Sequence, residues 1–473
     1  MSSFFNALDL SSIIALPEDL LQIARYFSHE KGTCFLYSGG SFPLSKKSFL
    51  CLYPFSFICI EPTIQRKSWG GGILKPLELH LKNPWDALKQ FLNEPSLTFS
   101  FPRWVGYLGY EMGAYSDSQL VLEYTPPEIP LAYFQRFACT IVFDHDLKKC
   151  QLWIDQESFS FLDRSQIGQI LEWSTISTWI RVKAQAYALA SPSEVSSLIF
   201  KIQPAGRESY LNQVQKAKTL IEKGEIYQVN LSQPFTLQGR REGFELFYRL
   251  AKLNPAPYSG YWDLPFCSIV SSSPEKFLKK DSLLLSTEPI KGTAPRGTTP
   301  TEDGGNRERL VRSEKENAEL LMITDLMRHD LGKVSVAGSV KVNPHWNCYG
   351  YQNVFHLSSE VESIACSSLH FLDIIRACFP GGSITGCPKI RAMQTIHAFE
   401  KRARGIYTGS LGYFSHNGDF DFNIAIRSLI LSPTSIHTAF GAGIVADSLP
   451  DQEYQEILSK GQSIFEILNV SLV

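Results

Sequence analysis

Short runs of aromatic and β-branched residues, broken by Gly and Pro, recur along the whole chain and constrain its fold most strongly. In the first part they are Phe35–Gly40, Trp104–Tyr110 and Phe137–Phe143, the last followed by an apparent hairpin turn at Asp144–Lys149. Later runs with the same character cover residues 227–233, 268–271, 408–414, 422–431 and 435–440. Because these strands dominate without alternating regularly with helices, the pattern predicts an α+β fold of sheet layers rather than a doubly wound parallel sheet.

Fewer segments have helical patterns, and they divide the chain into two parts. Arg207–Gly224 is amphipathic and ends at glycine, and Ser313-x-x-Glu316 is a capping box that opens a helix running to about Leu331 and stopping at Gly332. Pro450-Asp451 opens a last helix. The stretch 185–207 is rich in Ala, Ser and Pro and then polar, which predicts a connection between an N-terminal β-rich lobe at 1–190 and a second domain at 200–468.

Composition excludes several classes of function. The 473 residues carry a net charge of -2 without a single-sign block, so neither nucleic acid nor an anionic membrane is an expected partner. No apolar run reaches the roughly 18 residues that span a bilayer, and the N-terminus does not resemble a signal peptide. The ten cysteines show neither C-x-x-C nor zinc spacing, which is typical of buried thiols in a reducing cytoplasm.

Lys291 is the strongest candidate for chemistry. It lies in Glu288–Gly297, after an apolar run and between Pro289 and Gly292, where the backbone is restricted and a substrate can approach closely. A lysine in such a setting can act as an amine nucleophile, although a solvated surface lysine is the alternative. Glu275 lies sixteen residues before Lys291, just after another apolar run, and can serve as a general acid or base or merely cap a turn.

Two predicted helices each carry a pair of glutamates three residues apart, so each pair shares a helix face. The pairs are Glu316 with Glu319, and Glu453 with Glu456, with Lys460 one turn further on. Four carboxylates without a nearby His or Cys suit a hard cation such as Mg²⁺. Two solvated helix faces are the alternative interpretation.

Glycine-rich segments and isolated polar groups indicate an anion pocket. Phe379–Lys389 runs into a helix and offers backbone N–H groups, with Thr385 and Lys389 as further donors. Residues 405–413 and 441–446 are also glycine-rich. The latter matches G-x-G-x-x-A, but no helix follows at the required place, so a backbone surface for a carboxylate is favoured over a dinucleotide site. His356, Tyr407 and Arg427 can complete the pocket, Arg427 from within an apparent apolar strand.

Five strings in order are similar to the chorismate-utilising enzymes, most closely over residues 205–465. They are Ile226-Tyr-Gln-Val-Asn-Leu-Ser-Gln, Ser272-Ser-Pro-Glu, Pro289-Ile-Lys-Gly-Thr, Pro380-Gly-Gly-Ser-Ile-Thr-Gly-x-Pro-Lys and Gly443-Ile-Val-Ala-Asp-Ser. The resemblance implies an anthranilate synthase large-subunit-like α+β fold: two antiparallel sheet layers flanked by helices, with the active site between them. Anthranilate synthases carry alanine at Lys291, whereas Pro-Ile-Lys-Gly-Thr resembles the family branch that aminates chorismate to 4-amino-4-deoxychorismate. Isochorismate- and salicylate-forming members carry a water-activating lysine where this chain has Gln228.

The resemblance also implies roles for individual residues. Lys291 would be the covalent nucleophile and Glu275 the general acid. Mg²⁺ would be held by Glu319 and Glu456, supported by Glu316 and Glu453. The residues implied in substrate binding are Gly292, Thr293, His356, Thr385, Tyr407, Arg427, Gly441, Gly443 and Lys460.

The sequence departs from the family pattern in places and leaves alternatives open. His329 replaces an asparagine in Asp325–Asp330, and the Leu-Leu-Glu-Ser motif of tryptophan feedback is missing. No glutaminase motif is present, so a separate glutamine amidotransferase subunit is expected to supply ammonia. Anthranilate synthesis and a catalytically silent subunit of the same fold remain the competing hypotheses.

Overall fold

The computed structural model describes residues 5–40, 42–44, 46–69, 77–93, 99–120, 122, 128–189, 200–201, 206–343, 346–351 and 354–471. Of the predicted connection at 185–207, residues 190–199 and 202–205 lie outside this part of the chain. The helices within it are α1 Pro17–Tyr26, α2 Pro84–Leu92, α3 Arg164–Trp173, α4 Ile176–Ala188, α5 Arg207–Glu222, α6 Gly243–Leu253, α7 Pro300–Arg312, α8 Glu314–Gly332, α9 Phe371–Cys378, α10 Lys389–Glu400 and α11 Pro450–Ile467.

Most strands are short, and the two longest lie in the N-terminal lobe. In chain order they are β1 Phe5–Asp9, β2 Cys34–Tyr37, β3 Lys47–Ile60, β4 Gln65–Trp69, β5 Leu77–Leu79, β6 Pro102–Leu108, β7 Ala132–Asp144, β8 Lys149–Asp155, β9 Phe200–Lys201, β10 Gln228–Gln238, β11 Tyr258–Asp263, β12 Ser268–Ser273, β13 Lys276–Asp281, β14 Leu284–Glu288, β15 Ile290–Pro295, β16 Lys341–Val342, β17 Asn347–Gly350, β18 Val354–Ser358, β19 Val361–Ile364, β20 Gly386–Cys387, β21 Ser410–Ser415, β22 Phe420–Asn423, β23 Ser428–Leu431, β24 Ser435–Ile444 and β25 Val470–Ser471.

The strands form two antiparallel layers, which confirms the predicted fold class. One layer runs β2-β11-β12-β23-β24-β10, and the other runs β6-β21-β22-β13-β14-β19-β16. The long strands β3 and β7 pair with each other along their length and connect the layers. Their register shifts between Pro54 and Ser56, next to Tyr53 at φ 56°, and this irregularity bends the pair.

The two predicted lobes share these sheets. In one layer, β2 of the N-terminal lobe pairs with β11, and in the other β6 pairs with β21 over Ser410–Ser415. A cavity of about 420 Å³ lies where the lobes meet, lined by residues that include Ser38, Lys47, Tyr258 and Asp421. The residues of the candidate site do not line this cavity. The site therefore has to be located from its side chains.

Most predicted elements form where expected, and one differs. The run at 422–431 is not a single strand, because β22 ends at Asn423 and β23 begins at Ser428. The backbone between them turns inward: the Ile424 N–H donates to the Glu275 carbonyl at 3.0 Å, and Arg427 has φ 51°. Arg427 consequently lies in a break between two strands, rather than within a strand as its apolar neighbours predicted.

Two further features of the structure concern the cysteine side chains and the character of the helices. The ten cysteines form no disulfide, and six of them are buried. In the described ranges, no helix combines the length and the apolar character required to cross a membrane.

Candidate active site

Lys291 lies on β15, facing the glycine-rich strand β24. Its Nζ is 3.2 Å from the point that a Cβ on Gly443 would occupy, and the Gln228 amide nitrogen is only 2.5 Å from that point. A side chain at Gly443 would therefore displace the Gln228 amide and crowd the Lys291 amine. The Gln228 side chain is fully buried, and neither its amide nitrogen nor its amide oxygen has a hydrogen-bond partner. A ligand group or a water molecule bound at this point would pair these two atoms.

Glu275 follows β12 and is 5 % exposed. Burial raises its pKa to about 7, and this rise is opposed by a hydrogen bond with Ser383 and by the positive charge of Lys291. A carboxyl group with that pKa is protonated in a large fraction of molecules at neutral pH and can donate a proton. Its proximity to Lys291 brings a potential nucleophile and a potential acid into one site.

A buried ion pair braces the strands that carry these two groups. Lys276 and Glu288 lie opposite each other in the β13–β14 register, with 3.7 Å between Nζ and Oε2. Lys276 also contacts Glu360 at 3.2 Å, and Glu288 accepts a hydrogen bond from the Ser358 hydroxyl at 2.8 Å. Because Lys276 follows Glu275 and Glu288 precedes Lys291 by three residues, the pair fixes both strand ends.

His356 is buried on β18, and its hydrogen bonds determine its tautomer. Its Nε2 lies 3.4 Å from a guanidinium nitrogen of Arg427, which can only donate, so Nε2 accepts. The proton is therefore on Nδ1, which faces the Thr293 hydroxyl at 3.0 Å and the Gly292 carbonyl at 3.4 Å. Burial and the charge of Arg427 lower the pKa of His356 to about 3, so the imidazole is neutral.

Tyr407 and Lys460 meet at Gly441 on the same strand as Gly443. The Tyr407 hydroxyl lies 2.8 Å from the position of a Cβ on Gly441, and Lys460 donates to the Gly441 carbonyl at 3.0 Å. The Asn230 amide oxygen is 2.7 Å from that Cβ position and has no partner. A hydroxyl, an ammonium and a bare strand backbone form a surface suited to a carboxylate.

The glycine-rich segment before α10 has polar side chains that bond within the protein. The Thr385 hydroxyl donates to the Gly381 carbonyl at 2.9 Å, which gives it a structural bond within the segment. Lys389 is not a donor for an anion, because it contacts Asp330 and donates to the carbonyls of Cys378 and Pro380, each at 2.8 Å. Its charge ties α10 to the end of α8. Ser383, in the same segment, is the residue that reaches Glu275.

The four glutamates lie on α8 and α11, and their charges influence one another. Burial and the charge of Glu319 raise the pKa of Glu316. Burial and the charge of Glu456 raise the pKa of Glu453. Burial opposes ionisation of Glu456, but Lys460, 2.5 Å away, lowers its pKa overall. Glu316 also lies 3.0 Å from the position of a Cβ on Gly292, so the carboxylates adjoin the Lys291 strand.

These carboxylates fit a hard cation in their chemistry. Within the described ranges, no three His, Cys, Asp or Glu side chains form a group that could hold a metal ion. Lysines partner the glutamates instead, since Lys460 contacts Glu456 and Lys315 lies 4.0 Å from Glu319. Oxygen-only donors, with raised pKa values at Glu316 and Glu453, are what a magnesium site would provide before the ion binds. The metal site remains a prediction.

Comparison with known proteins decides the family. A sequence model of the chorismate-binding enzymes matches residues 54–466. The chain belongs to the chorismate-binding enzyme family. Its relatives in that family carry two different names. It is 33 % identical over 424 residues to anthranilate synthase component 1 of Lactococcus lactis, covering 87 % of this chain and 91 % of that protein.

A second relative of this chorismate-binding enzyme is aminodeoxychorismate synthase component 1 of Bacillus subtilis. It is 35 % identical over 374 residues, covering 78 % of this chain and 77 % of that protein. The fold matches the crystal structure of anthranilate synthase component I from Streptococcus pneumoniae with a TM-score of 0.74 and 27 % identity, covering 90 % of this chain and 93 % of the other. The relatives thus establish a chorismate-binding enzyme with two candidate activities.

Sequence reasoning missed several residues of the site. Asn230, Ser383, Tyr351 and the Lys276–Glu288 pair were not singled out. Ser383 and Asn230 lie inside the quoted strings, so their position could have been a signal. Tyr351 packs its ring 5.1 Å from that of His356, and only the pairing of β17 with β18 brings them together.

Proposed function

We propose that this protein is the large component of an aminodeoxychorismate synthase, which aminates chorismate at C4 to give 4-amino-4-deoxychorismate for p-aminobenzoate and folate synthesis. The observation that carries the proposal is Lys291 in Pro-Ile-Lys-Gly-Thr, with its Nζ against Gly443 and its charge acting on Glu275. A lysine at that point supplies a releasable nucleophile beside a protonated carboxyl group.

The chemistry proceeds in two displacements. The Lys291 amine forms a bond to C2 of chorismate, the ring double bonds shift, and the C4–oxygen bond breaks as Glu275 gives its proton to the departing hydroxyl, which leaves as water. Ammonia then forms a bond at C4, the double bonds shift back, and the C2–nitrogen bond breaks so that Lys291 leaves as the amine. The extra proton on the new C4 amine returns to the Glu275 carboxylate. Splitting one allylic substitution into two lowers each barrier.

The other residues bind and orient the substrate in this proposal. Tyr407, Arg427, Lys460 and the backbone at Gly441 and Gly443 receive the enolpyruvyl carboxylate. His356 and Thr385 line the ring with the Gly292–Thr293 backbone. The neutral His356 presents no charge to the ring, and its contact with Arg427 fixes the guanidinium. Mg²⁺, held by Glu319 and Glu456 with support from Glu316 and Glu453, would supply positive charge that orients the ring carboxylate.

The product identifies the activity. Purified protein is incubated with chorismate, Mg²⁺ and an ammonium salt, and the products are separated by chromatography with mass detection. 4-Amino-4-deoxychorismate is the expected product. Anthranilate with pyruvate would overturn the proposal.

The nitrogen source tests the predicted partner. We expect turnover with ammonium but not with glutamine alone, because the glutaminase is proposed to be a separate amidotransferase subunit. Adding such a subunit should make glutamine a substrate. Turnover of glutamine by the purified chain alone would contradict a separate partner.

Anthranilate synthase component I is the second candidate, favoured by the Lactococcus lactis relative that covers most of both chains. An anthranilate synthase would also eliminate pyruvate from the aminated intermediate. Lys291 opposes it, because the resemblance places alanine there in the anthranilate enzymes. A silent subunit of the same fold is the third candidate, which predicts no turnover even with an amidotransferase present.

A further inference from the structure

Glu111 is a buried carboxylate of the N-terminal lobe that none of the proposed chemistry uses. It is 1 % exposed and lies in a short helical turn just after β6. Each of its oxygens accepts one backbone N–H from the other lobe: Arg404 N–H donates at 2.6 Å and Gly405 N–H at 3.0 Å. Two successive peptide groups of one turn are thereby oriented by a single side chain.

The turn that Glu111 holds has an uncommon backbone. Gly405 has φ 62° and Thr408 has φ 60°, a region in which a β-branched residue is strained. The adjacent Tyr110 N–H donates to the Gly405 carbonyl at 2.8 Å, so the lobe binds the turn through both N–H and C=O groups. Such a conformation persists only where surrounding contacts fix it.

Tyr407 lies in this turn, and further backbone hydrogen bonds link the turn to the segment that carries Arg427. Thr408 N–H donates to the Ala425 carbonyl at 2.8 Å, and Ala425 N–H donates to the Gly409 carbonyl at 2.9 Å. Ala425 is two residues before Arg427. Backbone hydrogen bonds therefore connect the turn that Glu111 holds, in which Tyr407 lies, to the segment that carries Arg427.

Arg404 connects the turn to the remaining walls of the site. Its guanidinium donates to the Ile384 carbonyl at 3.1 Å, and Ile384 is the neighbour of Thr385. It also donates at 2.8 Å to the carbonyl of Asn230, which lies on the same strand as Gln228. Glu400 pairs with the guanidinium at 2.7 Å. Arg404 already has this carboxylate, so Glu111 is a second buried negative charge beside the same arginine.

The additional buried charge of Glu111 is unfavourable if only the folding stability is considered. Burial raises the pKa of Glu111 to about 7, although the N–H groups of Arg404 and Gly405 and the charge of Arg404 act in the other direction. A well-packed apolar side chain often gives equal or greater stability than a buried charge. The carboxylate offers what an apolar group cannot, two acceptors in fixed directions.

We propose that Glu111 is a positioning residue, which acts from the N-terminal lobe to hold the Arg404–Thr408 turn so that Tyr407 and Arg427 face the substrate carboxylate. This assignment rests on the proposed function, in which those two residues bind chorismate. It gives the N-terminal lobe a direct part in substrate affinity.

The test measures chorismate binding by calorimetry with Mg²⁺ present, which does not depend on the product formed. Glu111→Gln keeps the shape but turns an NH₂ group toward one N–H, so we expect the Kd to rise about tenfold, as for loss of one charge-assisted hydrogen bond. Glu111→Asp keeps the charge with a shorter reach and should restore part of the affinity. KM is expected to rise with little change in kcat.

Asp155→Asn is the matched control. Asp155 is also buried in the N-terminal lobe but bonds to Arg136 at 2.7 Å within that lobe. We expect both Asp155→Asn and Glu111→Gln to lower the melting temperature, but only the change at Glu111 to weaken chorismate binding. An unchanged Kd in Glu111→Gln, or in the apolar variant Glu111→Met if the first variant does not fold, would overturn the assignment. A wild-type protein that binds no chorismate would overturn the proposed function, and this assignment with it.

Discussion

At the residue scale, the site places charged side chains where each has a limited set of partners. Glu275 lies within the influence of Lys291 and of Lys460, on elements far apart in the chain. His356 lies between Arg427 on one side and the Gly292 carbonyl and Thr293 hydroxyl on the other, and it contacts both sides. Their protonation states follow from burial and from these neighbours, so they lead to direct predictions.

Lys291→Ala removes the proposed nucleophile while leaving the anion-binding groups intact. We expect amination to fall at least about a hundredfold, because loss of a covalent nucleophile removes a whole step. Binding of chorismate in the presence of Mg²⁺ should be retained. Rates and calorimetric binding are compared with Lys341→Ala, an exposed lysine of the same domain. Turnover equal to that of the wild type would exclude the nucleophile role.

The pH dependence of kcat tests Glu275. Its carboxyl group must be protonated to act as the acid, and its pKa is raised to about 7. The protonated, active form therefore predominates below that pH and is depleted above it. We expect kcat to decline about tenfold per pH unit above neutrality, at constant free ammonia. Glu275→Gln should lower kcat by about 10²–10⁴-fold and abolish the decline of kcat above neutral pH. A decline that persists in the variant would assign the pH dependence to another titrating group.

Residues in contiguous strings were accessible to sequence reasoning, whereas isolated ones were not. Lys291, Glu275 and Gly443 lie in motifs whose residue types already suggest nucleophile, acid and close approach. Glu111 lies outside the five strings that carry the resemblance, and its two partners are about 290 positions away. No local pattern reports such a contact.

At the element scale, helices α8 and α11 carry the proposed metal ligands and the sequence predicted both. Ser313 caps α8, accepting the Glu316 N–H at 3.4 Å. The i, i+3 spacing then places each glutamate pair on one face. The proximity of the two helices, which brings the charge of Glu456 to bear on Glu316, was decided by the tertiary structure.

Substitution of the proposed ligands should weaken magnesium binding. We expect Glu319→Gln and Glu456→Gln each to raise the Mg²⁺ concentration needed for thermal stabilisation by about tenfold or more, since carboxylate number sets affinity at oxygen sites. Glu314→Gln and Glu466→Gln, exposed on the same helices, are the matched controls. Equal Mg²⁺ dependence in all four variants would place the ion elsewhere.

The break between β22 and β23 shows where strand propensity was overruled. Residues 422–431 have the apolar character of one strand, yet Ser273 donates its hydroxyl to the Ile424 carbonyl at 2.6 Å and the Glu275 carbonyl accepts the Ile424 N–H. These contacts with another strand end β22 and allow Arg427 to adopt φ 51°. The reason for the break is tertiary hydrogen bonding.

At the scale of the whole molecule, the two lobes complete each other's sheets. Pairing of β2 with β11 and of β6 with β21 joins both layers across the predicted boundary. The second domain alone would have unpaired strand edges and exposed apolar faces at both places.

We therefore expect residues 206–473, produced alone, to lack a cooperative thermal transition and to aggregate. Co-production with residues 1–189 should restore a cooperative transition and chorismate binding. Near-ultraviolet circular dichroism and a thermal scan measure the difference. A cooperative transition in the isolated segment would show that the lobe boundary is also a folding boundary.

By itself the sequence determined the α+β class, the main helices and strands, and the chemical types gathered in the site, because periodicity, caps and contiguous motifs are local properties of the chain. Tertiary structure alone decided that Lys389 binds Asp330 rather than an anion, that Arg427 lies in a strand break, and that Glu111 reaches across the lobes. These outcomes depend on which strands become neighbours, and burial then sets the charge of Glu275 and His356. Neither the pairing of distant segments nor the water they exclude is encoded at any one position.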